Sequence, residues 1–98
     1  MSVDVVAVIA AKPGSEDAVR AAMQRLVAPT RAESGNIAYD LSESDVAPGT
    51  FITAERWQSP ADLDLHLQSA HVQSALADVG DLLAAPPAIH PLTALDVQ

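Results

Sequence analysis

The sequence contains no cysteine, and this absence excludes several kinds of chemistry at once. A chain without thiols has no disulfide, no thiolate nucleophile and no cysteine-based zinc or iron–sulfur site. Glycine is also scarce, and the four glycines stand apart from one another at positions 14, 35, 49 and 80. No glycine-rich loop is therefore present to hold a nicotinamide or flavin dinucleotide, and we expect the protein to use no cofactor.

Positive charge is sparse as well. Five Lys and Arg residues stand against thirteen Asp and Glu residues, which gives a net charge of -8, and residues 57–98 contain neither Lys nor Arg. A surface that follows a phosphate backbone cannot be assembled from such a segment. We therefore do not expect nucleic acid as a partner.

Long hydrophobic runs are missing too. The longest, VVAVIAA, is far too short to cross a bilayer, and the SVDVV that follows Met1 lacks the features of a signal peptide. We therefore expect no membrane association and a cytoplasmic location. A chain of 98 residues with 49% hydrophobic and 18% charged residues fits one folded domain, residues 1–98.

Hydrophobic periodicity predicts six elements in the order β, α, β, β, α, β. Residues 3–11 are apolar at both parities, which is typical of a strand covered on both faces. A helix is predicted after the capping residue Ser15, and Pro29 is expected to kink or end it. The second helix is predicted to start at SPAD, residues 59–62, with an apolar stripe that continues to Leu83.

The two central strands are predicted to form a hairpin. Residues 36–44 place Ile37, Tyr39 and Leu41 on one face. Residues 51–57 alternate as well, with one face made of Phe51, Thr53, Glu55 and Trp57 and the other of Ile52, Ala54 and Arg56. The last strand, residues 88–97, contains Pro91 and is therefore placed at a sheet edge.

This order of elements is the ferredoxin-like α+β pattern, in which a four-stranded antiparallel sheet carries its helices on one face. The other face of the sheet would then stay open, although residues 3–11 and Ile52 supply apolar side chains to it. An exposed apolar patch of that size marks an interaction surface. We therefore expect a homodimer in which two sheets pack together as a dimeric α/β barrel.

Several local motifs carry a resemblance to a known family. The segment PTRAESG before the second strand, the Tyr39 strand, ERW at 55–57 and HLQSAH at 66–71 resemble the antibiotic biosynthesis monooxygenase domain, including its quinol monooxygenase-like members. The resemblance implies an oxygenation without metal or flavin, in which a quinol, phenol or anthrone-type aromatic loses a proton and reacts with O2. Such a site needs a base, a dry pocket and donors to an oxyanion.

Two residues are candidates for proton transfer. His66 could act as base or proton donor, with Asp62 one helical turn earlier to orient it, or the two could form an exposed Asp–His pair. Glu55 lies among apolar neighbours on its strand face, where carboxylates often serve proton transfer. Its alternative role is an ion pair with Arg31 or Arg56.

Aromatic and amide side chains supply the remaining candidates. Tyr39 could donate its hydroxyl to a substrate oxygen, or it is a half-buried strand tyrosine. Trp57 and Phe51 are candidate substrate contacts, whereas the alternative for the tryptophan is a core position. Asn36 could bind an oxyanion, but after Gly35 it also suits a turn.

His71 is a further candidate substrate-binding residue. It lies five positions after His66, and on one continuous helix the two side chains would point in different directions. Two metal ligands on one helical face are spaced by about four residues, so no metal site is predicted.

Two other classes of function stay open beside the monooxygenase. Three aromatic residues in the whole chain provide little stacking surface for an aromatic substrate. A dimeric ligand-binding or structural protein of the same fold, and a non-oxidative isomerase or cyclase, are therefore the alternatives.

Overall fold

The computed structural model describes residues 1–96. Their strands form one antiparallel sheet. Its strands are β1 (Val3–Ala10), β2 (Asn36–Glu43), β3 (Thr50–Trp57) and β4 (Ala88–Leu92). They lie in the order β2-β3-β1-β4, and every neighbouring pair is antiparallel. The predicted β2–β3 hairpin and the edge position of the last strand are confirmed. That strand ends at Leu92, and residue 97, to which it was predicted to run, lies outside the described residues.

Three helices cover one face of this sheet: α1 (Glu16–Arg31), α2 (Pro60–Leu67) and α3 (Ala70–Val79), the last followed by a 3-10 turn (Gly80–Leu82). The ferredoxin-like α+β prediction is confirmed, while the dimeric barrel stays a prediction. Among residues 1–96, no helix combines the length and the apolar character needed to cross a bilayer.

The second predicted helix is two helices, so the expectation of a continuous one is wrong. Ser69 is the N-cap of α3 with an extended backbone, and its hydroxyl accepts a hydrogen bond from Val72 N at 3.3 Å. The same hydroxyl donates to the backbone oxygen of His66 at 2.6 Å. A capping serine ends one helix and starts the next, because its side chain competes with the helical hydrogen bonds of the backbone.

Pro29 does not end α1, which continues to Arg31. A proline removes one helical hydrogen bond, and here tertiary contacts hold the last turn in place. Thr30, which belongs to this last turn, is fully buried, and the Arg31 guanidinium donates to the backbone oxygen of Tyr39 at 3.0 Å.

The core lies between α1 and the covered face of β1 and β3. The alternation predicted for the third strand is confirmed, since all four residues of its first face are buried. Ile37 breaks the pattern of β2: it lies at a register shift between Asn36 and Ala38 and is 51% exposed. The main buried cluster consists of Ala7, Ile9, Val19, Ala22, Met23, Leu26, Phe51, Val79 and Leu83.

The opposite face of the sheet has no covering layer among the described residues. Its central positions are apolar and half-buried, namely Val6, Val8, Ala10 and Ile52, while Ala54 and Arg56 are exposed. Arg56 pairs across the sheet with Asp4 at 2.7 Å.

Candidate active site

A cavity of about 310 Å³ opens between the covered face of the sheet and helices α2 and α3. Its wall is apolar except for four side chains, those of Tyr39, Thr53, Glu55 and His66. Three of these come from neighbouring positions of β2 and β3, and the fourth comes from the last turn of α2. An apolar cavity with a few convergent polar groups is the usual form of a small-molecule site.

His66 is the titratable side chain that α2 contributes to this cavity. It is 5% exposed, so the expectation of an exposed Asp–His pair is wrong. Its Nδ1 lies 2.6 Å from Oε2 of Glu33, which belongs to the turn between α1 and β2. Its ring packs against Trp57 at 4.6 Å between centroids. The imidazole is therefore held by a carboxylate on one side and an indole on the other, and its Nε2 has no hydrogen-bond partner among residues 1–96.

Glu33, and not Asp62, orients His66. The Asp62 carboxylate accepts a hydrogen bond from the Ser59 hydroxyl at 2.7 Å and so belongs to the N-terminal cap of α2. It also lies against Gly35, where any Cβ atom would collide with its side chain. The predicted Asp62–His66 contact is therefore wrong.

The break between α2 and α3 brings His71 to the same carboxylate. Its Nε2 lies 2.9 Å from Oε2 of Glu33, and the two imidazole rings are 6.0 Å apart. The premise that His71 points away from His66 is thus wrong. Because an ionised carboxylate only accepts hydrogen bonds, we assign Nδ1–H of His66 and Nε2–H of His71 as the donors to it. In that tautomer Nε2 of His66 carries a free lone pair and can accept a proton.

Glu55 is buried and accepts two hydrogen bonds, one on each carboxylate oxygen. The Thr53 hydroxyl donates to Oε2 at 2.5 Å, and the Trp57 indole N–H donates to Oε1 at 2.9 Å. The alternative of an ion pair with arginine is wrong, since Arg31 reaches Asp40 and Arg56 reaches Asp4. Glu55 instead fixes the indole against which His66 packs.

Tyr39 lies directly opposite Glu55 in the sheet and is 3% exposed. Burial raises the pKa of its phenol well above the ordinary value, and the negative charges of Glu55 and Glu33 raise that pKa further. The hydroxyl has no hydrogen-bond partner among residues 1–96. Tyr39 therefore stays protonated at neutral pH and can donate a hydrogen bond into the cavity.

The other predicted site residues lie outside the cavity wall. Trp57 packs with Val5 and Leu63 in a second core cluster. Phe51 belongs to the main cluster, with the Arg20 guanidinium 5.6 Å from its ring centroid. The structure thus places both aromatic side chains in core positions behind the wall.

Asn36 donates its side-chain amide to the backbone oxygen of Ala38 at 3.0 Å, across the irregularity of β2. His71 lines a separate groove between α1 and α3. Neither residue borders the cavity that contains His66.

The comparisons with known proteins identify the family. A model of the antibiotic biosynthesis monooxygenase family matches residues 2–78, and the chain belongs to this family. Rv0793 of Mycobacterium tuberculosis, which its name describes provisionally as a monooxygenase, is 39% identical over 94 residues, 96% of this chain and 92% of that protein. The solved structure of Rv0793 aligns with this one at a TM-score of 0.88, and the alignment covers 99% of this chain and 98% of that chain.

Two further relatives agree in fold or sequence. YcnE of Bacillus subtilis, also named provisionally as a monooxygenase, is 38% identical over 80 residues, 82% of this chain and 84% of that protein. The crystal structure of PA3566 from Pseudomonas aeruginosa has a TM-score of 0.88 at 31% identity, covering 96% of this chain and 94% of its own.

Proposed function

We propose that this protein is a cofactor-independent monooxygenase that oxidises a quinol, phenol or anthrone-type aromatic with O2. The observation that carries the proposal is His66, whose Nδ1 is bound to Glu33 at 2.6 Å while the side chain borders an otherwise apolar cavity. Membership of the family, and the monooxygenase names of its relatives in Mycobacterium tuberculosis and Bacillus subtilis, support the same activity.

The reaction begins with proton removal. Nε2 of His66 takes the acidic proton of the substrate, and the Glu33 carboxylate stabilises the imidazolium that forms. Tyr39 donates a hydrogen bond to the substrate oxygen on which negative charge develops. The apolar wall keeps water from the anion, which strengthens both interactions.

The substrate anion then supplies the electrons. It gives one electron to O2, the substrate radical and superoxide combine in a carbon–oxygen bond, and the peroxide takes a proton back from His66. Loss of water leaves a new carbonyl group, so one oxygen atom enters the product and the other leaves as water. The two electrons that reduce the second oxygen atom come from the substrate, and no external reductant is needed.

Oxygen uptake with a panel of quinols, phenols and anthrones tests this proposal. We expect uptake of one O2 per product and, from ¹⁸O2, one labelled atom in the product. We also expect full turnover after exhaustive chelation. Activity that is lost on chelation and restored by a particular metal would contradict the cofactor-independent mechanism.

A non-oxidative isomerase or cyclase is the second candidate. Among residues 1–96, Tyr39 supplies the one benzene ring on the cavity wall, and a base paired with a phenol donor also suits enolisation. Conversion of a substrate under argon would support this candidate. Ligand binding without any turnover would instead support a non-catalytic member of the fold.

We further propose that the open face of the sheet binds a second copy of the chain. The half-buried side chains at its centre are apolar. The Asp4–Arg56 ion pair lies on the same face and supplies one negative and one positive charge, which a self-complementary contact can use. A two-fold interface places the same patch on both subunits.

A further inference from the structure

We propose that Glu33, His66 and His71 form a binding site for a divalent metal ion of the zinc class, and that the bound ion prevents His66 from acting as a base. The binding site stands on the geometry of the three side chains alone. The inhibitory effect rests on the proposed function, because it concerns the role of His66 in proton removal.

The donor atoms of the three residues converge. Nδ1 of His66 and Nε2 of His71 lie 2.6 and 2.9 Å from the same oxygen of Glu33, and all three donor atoms lie within 4.8 Å of one another. Two imidazoles and one carboxylate are a frequent ligand set for zinc, with ligand atoms about 2.0–2.2 Å from the ion. Such ligands stand about 3.3 Å apart, so the N···O distances of 2.6 and 2.9 Å would open by about 0.7 and 0.4 Å.

Three different elements hold these ligands. Glu33 lies in the turn after α1, His66 in the last turn of α2 and His71 in the first turn of α3. The Ser69 hydroxyl, which bonds both His66 O and Val72 N, fixes the junction of the two helices. The junction therefore fixes where the two histidines lie along the chain, and their contacts with Glu33 orient both rings before any ion binds.

The cluster is open to solvent on one side. Side-chain exposure rises from 6% at His66 through 18% at Glu33 to 24% at His71. His71 borders a groove of about 200 Å³, which Ser74 and Asp78 also line. An ion can reach the site through this groove, and water there can complete its coordination.

Metal binding changes what His66 presents to the cavity. A neutral imidazole carries one proton, so a histidine that binds an ion through Nδ1 carries that proton on Nε2. Nε2 is the nitrogen that takes the substrate proton in the proposed reaction. The metal-bound residue would donate a hydrogen bond to the substrate instead of accepting its proton, and the Glu33 carboxylate would be engaged by the ion.

Calorimetric titration of untagged, chelator-treated protein with Zn²⁺ tests the binding site. We expect one ion per chain, and we expect His71→Ala to weaken binding by at least about tenfold. His90→Ala, at an exposed position of β4, is the matched control and should bind like the wild type. Absence of binding, or equal affinity in His71→Ala and wild type, would overturn the proposal.

The inhibitory effect needs a substrate that the wild type oxidises. We expect Zn²⁺ to stop oxygen uptake in step with site occupancy, a chelator to restore it, and the residual activity of His71→Ala to resist Zn²⁺. A wild-type enzyme that turns over at full rate with its site filled would overturn the inhibition. One-to-one binding by a protein without oxygenase activity would support the metal site and count only against the proposed function.

Discussion

Nδ1 of His66 lies 2.6 Å from Oε2 of Glu33, although 33 positions separate the two residues in the chain. The carboxylate holds the ring, and in the tautomer assigned to it Nε2 is the nitrogen that we propose to act on a substrate. A histidine oriented in this way by a buried or half-buried acid is the arrangement that general-base catalysis uses on many folds.

Replacement of Glu33 tests this orientation. We expect Glu33→Gln to lower kcat by roughly 10²-fold, because the imidazolium loses its countercharge, while KM changes much less. Asp62→Asn is the matched control, since that carboxylate caps α2 and does not contact His66. Steady-state oxygen uptake on both variants decides between the two acids. Equal losses in both, or a loss in Asp62→Asn alone, would contradict the assignment.

Trp57 should contribute to the stability of the fold and not to substrate binding. It is fully buried, and its indole N–H binds Glu55. We expect Trp57→Ala to lower the free energy of unfolding by about 3–5 kcal/mol, as a large truncation in a core does. Leu65→Ala, at a position that is 64% exposed, should change it very little. Denaturant unfolding measures both, and a Trp57→Ala variant as stable as the wild type would refute the core assignment.

The open sheet face gives a prediction about assembly. Sedimentation of the wild type at micromolar concentration should show a dimer, and Ile52→Glu should shift it towards monomer because a charge would be buried in the interface. Ala54→Glu, on the same face, should act in the same direction. Leu65→Glu adds the same charge on α2, away from this face, and should leave the dimer intact. A monodisperse wild-type monomer would remove the argument for the interface.

Glu43 makes stability depend on pH in the acid range. Hydrogen bonds from the Arg20 guanidinium, and then from Gly49 N–H, lower its pKa from 4.5 to about 2. A carboxyl with a lowered pKa stabilises the folded state above its unfolded pKa, and this contribution is lost as the pH falls from about 4.5 towards 2. Thermal melts between pH 7 and 3 should show Glu43→Gln less stable than wild type at neutral pH and closer to it in acid.

Asp45→Asn, at an exposed position of the β2–β3 loop, is the control for this series. Its melting temperature should follow that of the wild type at every pH. A stability gap between wild type and Glu43→Gln that stays constant down to pH 3 would contradict the role of Glu43.

The sequence predicts the order of elements and the buried face of β3, because a two-residue alternation is a local property. It misplaces Ile37, since the register shift there depends on how β2 pairs with its neighbour. The sequence pattern also predicts α2 and α3 as one continuous helix. The serine at position 69 was the available signal, as a capping residue inside an apolar stripe can start a new helix.

Glu33 is the residue of the candidate site that sequence patterns could not predict. It lies in a turn within the PTRAESG segment, with no periodicity or motif that ties it to His66. Only the packing of that turn against the ends of α2 and α3 brings its carboxylate to both histidines. Asp62, which has helical spacing to His66, was the locally obvious choice, and the capping serine beside it binds its side chain instead.

Oxygen uptake by His66→Gln, with one substrate that the wild type oxidises, tests the central claim most directly. Glutamine retains a polar side chain that can donate to Glu33 but cannot take up a proton. We predict that kcat falls by about 10²–10⁴-fold while substrate affinity and the far-ultraviolet circular dichroism stay close to those of the wild type. A folded His66→Gln variant with wild-type turnover would contradict His66 as the base.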